Sequence, residues 1–334
     1  MTESTFHKPT HNLSNQADAA DCSSDNGLTQ AALQPTILIQ RIALGIAIAT
    51  WMVMAIGSAT RVMNAGLACP DWPLCYGSIL PAEQMNLQVF LEWFHRLVAS
   101  TVGFATIVLC AASWYFRQSL PKWVPWATSI SLSLVIFQGV LGGLTVTQLL
   151  RFDIVTAHLG TGLLFFSSLL GTAIALISIK PQSVMPETTA NPSSKPWLAW
   201  LGLSAAVLVY CQSILGALVA SQWALHQCFA TQDMCIVLNG HLIGVVPATI
   251  ASVAVVVGAW KASVTPMLRK CASLVGILVI AQVAIGYATY KLHLQVEPLT
   301  VAHQATGSAL LGTLVCFAVL AFRSLNSSLN PARQ

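Results

Sequence analysis

The chain has 334 residues, of which 55% are hydrophobic and only 8% charged, whereas a soluble domain carries about 25% charged residues. That composition excludes an ordinary soluble globular domain, and the apolar stretches are too long and too numerous for a signal peptide. The formal net charge of +4 comes from loop cations on one side of a membrane and does not call for a nucleic acid partner.

Residues 1–36 are polar, rich in Ser, Thr, Asn and Gln, and are expected to form a disordered cytoplasmic tail that includes His7 and His11. Eight apolar segments follow, near 37–59, 90–113, 124–146, 154–178, 197–220, 236–259, 268–290 and 299–322. Each has the length of about 20 residues that a bilayer requires. Helices are expected, because backbone polar groups must be satisfied internally in lipid. The polar, proline-containing stretch 181–196 reads as a cytoplasmic linker between halves 37–180 and 197–323, with 324–334 as a second tail. All lysines and arginines except Arg61, Arg96, Arg151 and Lys291 fall on the side of the N-terminus. Positive charge marks the inner face, so both termini are expected to be cytoplasmic in a multi-pass protein of the cell membrane.

The two halves repeat one pattern. A glutamine precedes a glycine by four residues in the third, fifth and seventh segments: Gln138 and Gly142, Gln212 and Gly216, Gln282 and Gly286. The first segment has Gly57 with Val53 in the glutamine place. Each following segment carries a histidine: His95, His158, His241 and His303. The glycine-to-histidine spacings of 38, 16, 25 and 17 alternate long and short, as expected for tandem copies of a four-helix unit related by an axis along the membrane normal. The expected fold class is therefore all-α: a polytopic membrane protein whose eight transmembrane helices form two tandem, pseudo-symmetric four-helix bundles.

Histidine inside lipid is expensive and marks function. In an up-down bundle the second and fourth helices lie diagonally across the core, which pairs His95 with His158 and His241 with His303. Two axial histidines per bundle suit a six-coordinate heme iron. The competing reading of one such histidine is an interhelical hydrogen bond, and that is the expected role of the three glutamines, with the glycines serving packing.

Both long outer loops hold a cysteine pair, Cys69 with Cys75 and Cys228 with Cys235. Each pair admits two readings: a structural disulfide closing a loop over the site, or an exchangeable dithiol passing electrons. Zinc is not expected, since His226 beside Cys228 and Cys235 completes only three ligands. Glu92 precedes His95 by three residues and shares its helix face; it is either a helix-dipole partner or an acid, base or counter-charge beside a bound porphyrin. Arg61, Arg96 and Arg151 are candidate contacts for heme propionates, or else lipid-headgroup and loop ion-pair residues. His293, in a short outer loop, is expected to face solvent.

With TRVMNAGLACPDWPLCYG, the unit EWFHRL, the cysteine-bearing loop before the sixth helix and the four repeated histidines, residues 40–322 resemble the heme A synthase family, in its bacterial form with cysteine pairs in the outer loops. The resemblance implies conversion of heme O to heme A for heme–copper oxidases, by successive hydroxylations of one methyl group to a formyl group. It implies substrate heme between His95 and His158, a heme B cofactor between His241 and His303, and Glu92 near the reacting methyl as the catalytic carboxylate. It also implies participation of Cys69 and Cys75 in electron or heme transfer. Implied partners are membrane lipid, the heme O-producing enzyme and an electron acceptor, and the chain is compatible with a homo-oligomer. The rival readings from the residues are a di-heme cytochrome taking electrons from quinol and a transporter built on parallel repeats.

Overall fold

The computed structural model describes residues 14–177, 195–220 and 236–329. Its helices are α1 (Ser14–Val62), α2 (Leu87–Tyr115), α3 (Val124–Thr147), α4 (Phe152–Ala175), α5 (Pro196–Val219), α6 (Ile236–Lys261), α7 (Pro266–Lys291) and α8 (Glu297–Leu329). All eight contain a segment long and apolar enough to span a membrane, with Gln34–Val62 as the spanning part of α1. Helix α1 starts at Ser14, upstream of its spanning part. Alanine, the best helix former, is the commonest residue of 14–36, and the helix runs through Pro35 without a break. Most of the expected linker, and Cys228, Cys235 and His226 with it, lies outside the described residues.

Local sequence sets the helix ends. The Asn86 side chain accepts the N–H of Val89 at the start of α2, and Thr265 accepts that of Leu268 at the start of α7, both standard N-caps. Prolines occupy the first turns of α3, α5 and α7, where the missing N–H costs nothing. The α3–α4 and α7–α8 turns are copies of one another: Leu149 and Leu150 in the first, His293 and Leu294 in the second, all left-handed with φ between 51° and 60°. Non-glycine residues rarely adopt this conformation, so its recurrence extends the sequence repeat to the backbone.

Helices α1–α4 pack as a ring in chain order, with α4 closing onto α1, and α5–α8 form a second ring with α8 closing onto α5. Small hydroxyl side chains join neighbours inside the first ring, as in Ser113 with Thr128 at 2.5 Å and Ser131 with Ser168 at 2.9 Å; such bonds hold helices together where no hydrophobic effect operates between them. The bundles meet through α1 and α4 on one side and α5 and α8 on the other. Trp51 donates to Ala305 O (3.0 Å), Gln304 to Met54 O (3.3 Å), Tyr210 to Gly160 O (3.3 Å) and Arg323 to Ile174 O (2.8 Å). Met54 packs against the cores of both bundles. Large apolar side chains such as Phe104, Ile250 and Ile280 point outward, the surface a bilayer solvates. Trp114, Trp126, Trp197, Trp200 and Trp260 gather at the helix ends on the side of the N-terminus, as an interfacial belt would.

Candidate functional site

Each of the four histidines rests on the glycine of the preceding helix. A Cβ built on Gly57 would lie 2.8 Å from Cε1 of His95; on Gly216, 3.0 Å from that of His241; on Gly286, 2.7 Å from that of His303; and on Gly142, 3.6 Å from that of His158. At Gly57, Gly216 and Gly286 the missing side chain is therefore the seat of the imidazole, whereas at Gly142 a Cβ would make an ordinary contact.

The glutamines occupy a second tier. Gln212 Nε2 lies 2.9 Å from His241 Nδ1 and donates to His241 O at 2.7 Å. Gln282 Nε2 lies 3.4 Å from His303 Nε2. Gln138 donates to His158 O at 3.0 Å and to the Thr161 hydroxyl. Each glutamine lies against a glycine one turn beyond the histidine, Gly162, Gly244 or Gly307. The expectation of interhelical hydrogen bonding by these amides describes them correctly, and their partners are the histidines themselves.

His241 and His303 face one another with ring centroids 6.4 Å apart and planes at 80°. They line a cavity of about 340 Å³ in the second bundle, together with Gln212, Gln282, Gly216 and Gly286. That separation accommodates one metal atom with a metal–nitrogen bond of about 2 Å on each side. The Nδ1 atoms of His95, His158 and His303 are buried without a hydrogen-bond partner. Among the described residues no group of three or more His, Cys, Asp or Glu could hold a metal ion. A pair of histidines is too few for a bare ion, but it is the full axial set for iron whose other four ligands come from a porphyrin. The residues present fit heme.

Glu92 is buried, 4% exposed, and both its oxygens are engaged. Oε2 accepts the Cys69 N–H at 2.7 Å and Oε1 accepts from Arg96 at 2.6 Å. Arg96 also donates to the carbonyls of Asp71 (2.6 Å), Leu74 (2.5 Å) and Cys69 (3.4 Å). These bonds strap the loop closed by the Cys69–Cys75 disulfide onto α2. Within the loop the Asp71 carboxylate accepts the N–H groups of Tyr76 and Gly77; the Gly77 contact first, then Tyr76 and the charge of Arg96, hold its carboxyl below the usual carboxylate range. Trp72 of the loop lies over Gly143 of α3, and Leu150 of the α3–α4 turn lies over Gly66. The loop thus closes over the outer end of the first bundle.

The three arginines have different fates. Arg96 is committed to the loop and Arg151 pairs with Asp153 at 2.6 Å on the surface, whereas Arg61, at the end of α1, lines the cavity of the second bundle. His293 sits in the α7–α8 turn with φ 52°. Replacing Arg96 by alanine is expected to strand the buried Glu92 carboxylate and loosen the loop by about 3 kcal/mol. The check is the dithiothreitol concentration at which Cys69 and Cys75 become alkylated, read by mass spectrometry; an unchanged concentration would contradict the strap.

Fold and sites together define a class: a multi-pass membrane protein of two tandem helical bundles, the second presenting a facing pair of histidines. The chain belongs to the COX15-CtaA family of cytochrome oxidase assembly proteins, whose model matches residues 40–315. It is similar to a heme A synthase of Shewanella oneidensis, 26% identical across 80% of this chain and 91% of that protein. It is also similar to one of Shouchella clausii, 27% identical across 84% and 96%. A third, from Geobacillus thermodenitrificans, is 36% identical across 45% of each chain.

Proposed function

We propose that this protein is a heme A synthase, an oxidoreductase that converts heme O to heme A by oxidising one porphyrin methyl group to a formyl group through successive hydroxylations. The observation that carries the division of labour is an asymmetry between two otherwise matched sites. The first bundle has the buried carboxylate of Glu92 three residues before His95, and the second has Leu238 in that place before His241. Substrate heme O is accordingly assigned to His95 and His158, and a resident heme B to His241 and His303. A resident heme supplies one-electron chemistry when bound.

The chain's own residues do the rest. The glycine seats fix the imidazoles, and the glutamines orient His241 and His303 from behind, the outer-shell support that metal-ligating histidines need. The disulfide loop covers the outer end of the first bundle. Glu92, an acceptor of two charge-assisted bonds, supplies a fixed negative charge beside His95 that would stabilise positive charge developing at the substrate carbon. Both termini lie in the cytoplasm, and both sites near the outer face. Cys69 and Cys75 serve the loop's structure, and electron or heme transfer through them is a second proposed role. Electrons leave to an acceptor, and heme O arrives from the enzyme that makes it.

Heme extraction from the purified wild type and from the His95→Ala and His241→Ala variants tests the reading. The wild type should carry heme B with some heme O or heme A. His241→Ala should lose heme B, and His95→Ala should keep heme B while losing heme O and heme A. A single fixed heme type, lost equally in both variants, would instead identify a di-heme electron carrier; no heme in any of them would identify a transporter.

A further inference from the structure

Arg61 belongs to the first bundle by sequence and to the second by position. It lies four residues beyond Gly57, about 6 Å further toward the outer face along the helix, and its side chain lines the cavity that holds His241 and His303. Tyr287, Tyr290 and Thr300 line the same cavity, and among the described residues no aspartate or glutamate does. Among the described residues the guanidinium of Arg61 makes no hydrogen bond or ion pair. A cation set into a mostly apolar wall at membrane depth is costly unless an anion meets it. The histidine pair selects an iron porphyrin as the ligand, and the anionic groups of a porphyrin are its carboxylates. Arginine is suited to them, because its planar fork pairs with a carboxylate through two parallel bonds.

We propose that Arg61 is a carboxylate-binding residue of the second-bundle site, contributed across the bundle interface by the first bundle, and that it binds a propionate of the heme held by His241 and His303. The inference rests on the assignment of a heme to the second bundle. It adds that this site is incomplete without the first half of the chain, and it fixes the orientation of the ligand, with its carboxylate edge toward the outer face.

The test uses the full-length protein carrying His95→Ala, so that the second bundle is the heme site measured, with Arg61, Arg61→Lys or Arg61→Ala. Two quantities are read: the rate of hemin transfer to apomyoglobin and the midpoint potential of the bound heme. Arg61→Ala should release hemin about tenfold faster, the scale of one lost charge-assisted hydrogen bond. Its midpoint potential should fall, because a nearby cation favours the less positive, reduced iron. Arg61→Lys should recover part of both effects. Loaded with hemin dimethyl ester, which has no free carboxylate, the Arg61 and Arg61→Ala proteins should release their ligand at the same rate. Equal hemin release and equal potentials in Arg61 and Arg61→Ala would overturn the proposal while leaving the second-bundle heme in place. Absence of heme from the His95→Ala protein would overturn that assignment and the proposal with it.

Discussion

Replacing Gly286 by leucine is expected to empty the second bundle of its heme while the eight helices still assemble. A Cβ at this position would already sit 2.7 Å from the His303 ring, closer than unbonded heavy atoms tolerate, so the imidazole must swing from its seat. It cannot retreat toward the cavity without closing the 6.4 Å gap to His241 that the metal needs. The packing cost itself is about 1–3 kcal/mol, which a bundle of this size absorbs, whereas a lost axial ligand leaves the iron site incomplete. Gly142→Ala is the internal control, since its Cβ would lie 3.6 Å from His158, an ordinary contact. Heme per polypeptide, from the pyridine hemochrome spectrum, should fall in Gly286→Leu and stay at the wild-type value in Gly142→Ala, with far-ultraviolet circular dichroism unchanged in both. Full heme content in Gly286→Leu would show that the seat is not needed.

Glu92→Gln is expected to abolish heme A formation while heme remains bound. The amide oxygen can still accept the Cys69 N–H, so the loop keeps that anchor, while the charge and the bond accepted from Arg96 are lost. Removing a preorganised charge aimed at a developing charge costs about 100-fold or more in rate. Chromatography of extracted hemes should show heme O accumulating in place of heme A. Arg96→Lys separates the two roles of this carboxylate: it loses the fork of bonds to the loop carbonyls but keeps a cation beside Glu92 and with it the Glu92 charge, so it should retain more heme A formation than Glu92→Gln. Normal heme A accumulation in Glu92→Gln would remove Glu92 from the reaction.

The spans were legible because lipid imposes one simple rule on composition; the second to seventh begin and end within a few residues of their expected bounds. The repeat was legible because two of its markers, glutamine and histidine, are rare in such helices and the glutamines recur at a fixed offset from a glycine. The purpose of those markers was less so. The motifs HLGTG, HLIG and HQATG already contain Gly162, Gly244 and Gly307, on which the glutamines rest, and the first unit lacks both partners, with Val53 for the glutamine and no glycine within four residues after His95. That correlated loss was the available signal for a glutamine tier. The fate of Arg61 and Arg96 had none: both sit at an outer helix end, and the loop carbonyls that engage Arg96 and the neighbouring bundle that receives Arg61 appear only when distant segments are packed.

The hydrogen bonds between Trp51 and Ala305 and between Met54 and Gln304 join α1, which seats His95, to α8 within two residues of His303. The two halves are therefore not independent containers but two rooms with a common wall. Free-energy coupling carried through that wall is reciprocal by thermodynamic necessity: if filling the second site tightens the first by some factor, a ligand in the first tightens the second by the same factor. On the proposed assignment, residence of the cofactor and passage of the substrate share a single exchangeable quantity of free energy.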